Sequence, residues 1–178
     1  MKKLFLPILV LLLSACSLNQ MATPKQKVIS FLDKYKQEHS NVMEQLEEII
    51  DASFDKDEYK TKYQDLITNQ YKNLTYEITD EKTEDKTAVV EVEVTVIDYG
   101  SAIADADRYL QENSKEFDKD GKVDEDKYQE YKLEQMEKVT DTTKYKIEFT
   151  LTKNDDGEWE IDPLSDTDLE KLHGIYYE

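Results

Sequence analysis

The chain has 178 residues, with 41 Asp and Glu against 23 Lys and Arg and a formal net charge of −18 at pH 7. That length suits one domain, and that charge repels nucleic acid and anionic lipid, so neither is an expected partner. A single cysteine, Cys16, excludes an intramolecular disulfide.

Met1-Lys2-Lys3 precedes an apolar run, Leu4-Phe5-Leu6-Pro7-Ile8-Leu9-Val10-Leu11-Leu12-Leu13. Two positive charges and then about ten apolar residues are the first two regions of a secretory signal. The run is too short for a bilayer span of about 20 residues. The next residues, Leu13-Ser14-Ala15-Cys16, resemble the lipobox of bacterial lipoproteins, matching at all four positions. The resemblance implies that 1–15 is a cleaved signal peptide and that the Cys16 thiol carries a covalent diacylglycerol. It places the mature chain on the extracytoplasmic face of the cell membrane. Two acyl chains anchor stably where one is marginal. Loss of Lys2 and Lys3 leaves 21 basic residues against 41 acidic, a net charge of about −20, so attachment would rest on lipid and not on surface charge. Segment 8–15 also resembles the hydrophobic peptide pheromones that some Gram-positive bacteria cut from lipoprotein signals, a composition any such signal shares. Arg108 is the only arginine while Lys and Tyr abound, a composition matching an AT-rich Gram-positive genome.

Residues 16–22 form a lipidated tether, whose six residues after Cys16 reach about 20 Å when extended. A single α+β domain is expected over 23–178. Thr23-Pro24-Lys25-Gln26 opens a helix with an N-cap, a proline at the first helical position and a capping box. Val28, Phe31, Leu32, Tyr35, His39, Val42, Met43, Leu46, Ile49 and Ile50 continue at helical spacing, predicting one long helix over 23–51. Asp55 with Glu58 can cap a second helix whose face is Tyr59, Tyr63, Leu66, Ile67 and Tyr71.

The period then becomes two. Leu74, Tyr76 and Ile78 alternate with polar residues, Thr79 to Lys86 reads as a turn, and Val90, Val92, Val94 and Val96 alternate again. Gly100 ends this pattern. Residues 101–140 read as helical, with Ala102, Ile103, Ala106, Tyr109, Leu110 and Phe117 on one face and Tyr128, Tyr131, Met136 and Val139 on another. Tyr145, Ile147, Phe149 and Leu151, then Trp159 and Ile161, form a second hairpin around Asn154-Asp155-Asp156-Gly157. Trp159 is expected to be at least half buried against the first helix. Ser165 and Asp168 cap a last helix, Leu164 and Leu169 staple it, and Gly174 stops it.

This order predicts a one-faced antiparallel sheet of about four strands packed against the long N-terminal helix, with a helical insertion between two hairpins. Together with the ending Gly157-Glu158-Trp159-Glu160-Ile161-Asp162, it resembles the NTF2-like or cystatin-like domains of small Gram-positive lipoproteins. The resemblance covers about 23–163. It implies either a domain with no known activity or a ligand pocket between sheet and helix. The insertion, about 40 residues, is longer than that fold requires.

The candidate chemistry is sparse. His39 falls on an apolar stripe and reads as a partly buried, hydrogen-bonded residue. His173 lies near a helix end, where a cation suits the dipole. No Ser-His-Asp or Cys-His arrangement is visible, so an enzyme is not expected, and neither is a cofactor. Segment 116–127 resembles an EF-hand loop, with Glu116, Asp118, Asp120 and Asp124 at ligand positions and Gly121 at the turn. Lys127 stands where a bidentate Glu belongs, so no metal site is expected; the alternative is a solvated turn with Asp124 as N-cap. Twelve tyrosines and Trp159 either line a pocket or pack the core. The sequence therefore points to a non-catalytic binding module near the membrane surface, its partner a membrane-proximal protein, a basic peptide or a cell-wall component. The alternatives are a small-molecule binding or sensing domain and a small hydrolase or isomerase. An open cavity of about 300 Å³ or more separates ligand binding from a closed interaction module.

Overall fold

A computed structural model describes residues 21–177. The signal peptide, Cys16 and most of the tether lie outside the described residues. The first helix, α1 (Pro24–Lys36), opens as its sequence dictates. Gln26 N donates to Thr23 Oγ1 at 3.2 Å and Thr23 N donates to Gln26 Oε1 at 2.9 Å, which satisfies two otherwise orphaned amides.

The expected single helix over 23–51 is two helices. Glu38 adopts a left-handed backbone, φ 51°, and α2 (Ser40–Ser53) starts afresh behind His39. The apolar stripe crosses the break in phase: Val28, Leu32 and Tyr35 on α1 and Val42, Leu46 and Ile50 on α2 are all buried. Seven residues separate Tyr35 from Val42, two helical turns, so periodicity alone does not register the interruption. His39 sits at the corner and is exposed, not partly buried on the stripe.

Helix α3 (Asp57–Asn73) begins behind Lys56, with no side-chain cap; the expected Asp55 cap does not form. Asp57 and Glu58 in its first turn instead complement the helix dipole. Its predicted face is buried at Tyr59, Leu66, Ile67 and Tyr71. Strands β1 (Thr75–Glu84) and β2 (Thr87–Ile97) form the first hairpin. The expected turn at 79–86 shrinks to Asp85 and Lys86, because β1 continues through a bulge between Ile78 and Asp80. Lys82 supports that extension from Asp80 at 3.0 Å and Glu91 at 3.7 Å. The bulge and charges blunt an edge strand.

Helix α4 (Tyr99–Glu112) is capped by Asp98, which accepts from Ser101 N at 3.1 Å. A 3₁₀ turn at Ser114–Phe117 leads into a two-residue hairpin, β3 (Asp118–Lys119) with β4 (Lys122–Val123). Helix α5 (Glu125–Glu137) follows, capped by Asp124 as the alternative reading of that loop expected. Ala106, Phe117 and Tyr128 form a small core of their own inside this insertion. Leu133, missed by the sequence reading, is fully buried, whereas Tyr131 only packs on the rim of that core.

Strands β5 (Thr142–Lys153) and β6 (Trp159–Ile161) complete one antiparallel sheet in the order β1-β2-β5-β6. Val90, Val92 and Val94 on β2 stand opposite Phe149, Ile147 and Tyr145 on β5, and β2 joins the two hairpins directly. One face carries the core, covered by α1, α3 and α6 (Asp166–His173); the other presents Glu91, Glu93, Lys144, Lys146 and Glu148 toward solvent. Trp159 is 7% exposed, with β6 beside α1. Over the described residues the fold is α+β, with six α-helices and a four-stranded antiparallel sheet. Among the described residues no helix is long and apolar enough to cross a membrane.

Ser165 Oγ accepts from Asp168 N at 3.1 Å, so α6 starts as predicted. Gly174 ends it at φ 73°, and a Cβ there would stand 2.3 Å from the Ile97 carbonyl oxygen. Only glycine lets the helix end and strand β2 approach so closely.

Candidate functional site

A groove of about 490 Å³ opens between the α1–α2 corner and the segment joining β6 to α6. Its walls are Phe31 and Tyr35 from α1, Val42, Leu46 and Ile49 from α2, Ile161, Pro163 and Leu164 from the connection, and Leu169 from α6. Gln45, Glu48 and Asp162 supply its polar positions apart from the floor. Ile49, which the predicted stripe would bury, is 42% exposed at this groove. The break at Glu38 separates α1 from α2, and both helices contribute walls to the groove.

The floor is aromatic. Phe31 meets Phe149 edge-on at 5.7 Å, and Tyr35 meets Tyr71 edge-on at 5.1 Å. Tyr71 Oη lies 3.1 Å from His173 Nε2. Both groups line the groove. Burial lowers the His173 imidazole to about 4 and pushes the Tyr71 phenol well above its ordinary value. Both are therefore neutral at pH 7. The expected cation at this helix end is a buried neutral imidazole, because desolvation outweighs the helix dipole. A neutral histidine engaged by a tyrosine hydroxyl offers directed polarity at the bottom of an apolar groove. It provides no activated nucleophile.

Gln70 holds this floor in place, and the sequence reading passed over it. Fully buried on α3, its Oε1 accepts from Ile97 N at 2.7 Å and its Nε2 donates to the Leu172 carbonyl at 3.3 Å. Position 70 follows Leu66 by four residues, on the buried face, so a polar residue there was a readable signal. The tyrosines divide their roles: Tyr35 and Tyr71 line the groove, while Tyr99 is core, its hydroxyl donating to the Leu66 carbonyl at 3.2 Å.

A larger depression, about 570 Å³, runs between α4 and the connection from α5 to β5. It is polar and of mixed charge, with Asp105, Arg108, Glu112 and Lys138 among its walls, and Arg108 is already paired with Asp105 at 2.5 Å. Ligand pockets are mostly apolar with a few placed polar groups, a description that fits the groove better.

The EF-hand-like segment is organised otherwise. Lys127 Nζ donates to the Glu116 carbonyl at 2.5 Å, Asp124 Oδ1 accepts the Lys127 amide at 3.3 Å, and Asp118 Oδ1 accepts the Gly121 amide at 3.3 Å. Asp120 occupies the left-handed corner, φ 56°. Among the described residues no three His, Cys, Asp or Glu side chains converge as metal ligands.

No family model matches the chain, and no match appears among curated proteins. Among solved structures it is similar to a Bacillus subtilis protein described as "a putative lipoprotein (ycdA)", with 17% identity and a TM-score of 0.40. That similarity covers 89% of this chain and 49% of the other, so the chain spans about half the length of that protein.

Proposed function

We propose that this chain is a membrane-anchored extracytoplasmic lipoprotein whose NTF2-like or cystatin-like domain is a non-catalytic binding module, holding an apolar ligand in the groove between α1, α2 and α6. The observation that carries the binding reading is the groove itself. Its volume, about 490 Å³, falls within the range of small-ligand sites, roughly 300–1,000 Å³, and exceeds what a closed interaction module needs. Tyr71 and His173 supply the few fixed polar groups at its base. The anchor rests on Leu13-Ser14-Ala15-Cys16.

A second reading has its own support. Glu48 and Asp162 lie in the groove and the chain carries a net charge of −18. An apolar side chain of a basic peptide suits that combination, since the surrounding potential draws cations toward the groove.

The binding test uses the neutral apolar dye N-phenyl-1-naphthylamine with the full chain. Its fluorescence should rise on binding and fall on Ile49→Glu with Leu169→Glu, a loss of about tenfold or more in affinity from charging the wall. Equal binding by the double variant would overturn the groove assignment. The anchor test is separate. Cys16→Ala should release the chain from membranes or leave an uncut precursor; a variant that matures and fractionates unchanged would overturn the lipoprotein reading.

A further inference from the structure

The groove between α1, α2 and α6 is charged in one sense only. Glu48 and Asp162 are its charged lining residues, and no lysine or arginine lines it. His173, the remaining group there that could be a cation, is held neutral by burial. Glu48 is exposed and Asp162 half-buried. Neither has a basic partner among the described residues; Asp162 accepts the Thr152 hydroxyl, at 3.3 Å.

The bias extends along two walls. Helix α2 carries Glu44, Glu47, Glu48 and Asp51 with no basic residue, and the stretch from Asp162 to Asp168 adds Asp166 with none either. The third wall, α1, does carry lysines, but none of them lines the groove, and Lys36 lies instead 5.6 Å from the Tyr76 ring centroid. The polar depression at α4 differs. There Arg108 and Lys138 stand among the acids, and Arg108 is paired with Asp105.

A cleft edged by one sign of charge focuses its field and favours a ligand of the opposite sign. Resting on the reading that the groove holds an apolar ligand, we infer that this ligand is an amphiphilic amine, its apolar body in the groove and its ammonium group near Glu48 and Asp162. A fatty anion would bring a carboxylate against those two acids, and a neutral amphiphile would gain no ion pair from them. A free amine carries its one charge at the end of its apolar body. That matches walls whose lining is apolar apart from Gln45, the two acids and the neutral floor pair Tyr71 and His173. Because Glu48 is exposed, the ammonium keeps part of its hydration, so the preference is moderate and falls as salt rises.

The experiment displaces bound N-phenyl-1-naphthylamine from the full chain at pH 7 with decylamine, decanol and decanoate, which share one apolar body. Decylamine should bind about fivefold tighter than decanol, and decanoate about fivefold weaker. Added sodium chloride should narrow both ratios. Glu48→Gln with Asp162→Asn should bring the three affinities within about twofold of one another. Glu91→Gln with Glu148→Gln removes the same charge from the outer sheet face and should leave the order intact, which separates the groove acids from the net charge. Dye binding with equal affinities for the three amphiphiles would overturn this inference and leave the groove reading standing; no dye binding at all would overturn both. An order that survives in the Glu48 and Asp162 double variant would overturn the assignment to these acids. Tighter displacement by N-acetyl-Leu-Lys-Leu-amide than by decylamine would overturn the free amine in favour of a peptide.

Discussion

The Tyr71 hydroxyl and His173 Nε2 lie 3.1 Å apart, joining α3 to the end of α6 across 102 residues of chain. Burial lowers the imidazole from 6.5 to about 4. A base whose folded pKa is depressed binds fewer protons folded than unfolded between those two values. The stability it contributes is therefore complete above pH 6.5 and is lost as the pH falls toward 4. The full loss is about 3 kcal/mol, of which about 2 kcal/mol falls between pH 7 and pH 5. Denaturant unfolding at those two pH values should show this slope in the wild type, and His173→Gln should flatten it. Parallel slopes in both proteins would mean that His173 titrates normally.

Gly174 and Gly157 separate two costs of a side chain. Both have a left-handed backbone, φ 73° and 78°, but a Cβ at 174 would strike the Ile97 carbonyl while one at 157 meets nothing within 4 Å. Gly157→Ala should cost about 1 kcal/mol, from backbone strain alone. Gly174→Ala should cost about 3 kcal/mol or more, because strand β2 must also move. Equal unfolding free energies for the two variants would refute the close approach.

Asp107 holds two tyrosines. The Tyr128 hydroxyl donates to its Oδ1, and the Tyr177 hydroxyl donates to Oδ2 at 2.8 Å. This ties α4 to α5 and to the C-terminal segment. The Asp107 hydrogen bond is the main reason that Tyr177 ionises above its ordinary value; for Tyr128 burial comes first and Asp107 second. Asp107→Asn should lower the ionisation of Tyr177 toward the value of a free tyrosine in a spectrophotometric alkaline titration, and should cost about 1 kcal/mol of stability. An unchanged titration would show that the contact does not persist in solution.

The sheet was legible because its period is unambiguous. Val90, Val92, Val94 and Val96 are all buried and Glu91, Glu93 and Thr95 between them are not, so one face was assigned before any pairing was known. The caps at Thr23 and Ser165 were legible because each is a short, local hydrogen-bond pattern. The breaks were not. Glu38 takes a left-handed backbone in Gln37-Glu38-His39, a stretch with no Gly or Pro to announce it. The bulge after Ile78 hides in a run of charged residues that reads as a turn. The candidate site suffered most, because the groove is assembled from α1, α2, the β6–α6 connection and α6, segments far apart in the chain, and because His173 is driven neutral by burial, which no local pattern reveals. Gln70 was within reach: it is a polar residue on an apolar helical face, the local inconsistency that marks a structural role.

The acidity and the loop at 116–127 together predict the same response to two salts. The ion pairs are largely exposed, as at Lys144–Glu93 and Lys82–Asp80, and such pairs contribute little. A net charge of −18 leaves mostly repulsion to be screened, and exposed charges are screened over about 8 Å at physiological ionic strength. Sodium chloride should therefore raise the melting temperature. Calcium chloride should add little beyond its ionic strength. The reasons are local: Lys127 places its ammonium on the Glu116 carbonyl, Asp124 caps α5, and Asp118 accepts the Gly121 amide. Binding calcium would require removing a cation from the loop and uncapping a helix, the latter alone costing about 1 kcal/mol. Melting series at matched ionic strength should coincide. A calcium shift of several degrees, abolished by Asp118→Ala with Asp120→Ala, would instead show that the loop rearranges into a true cation site.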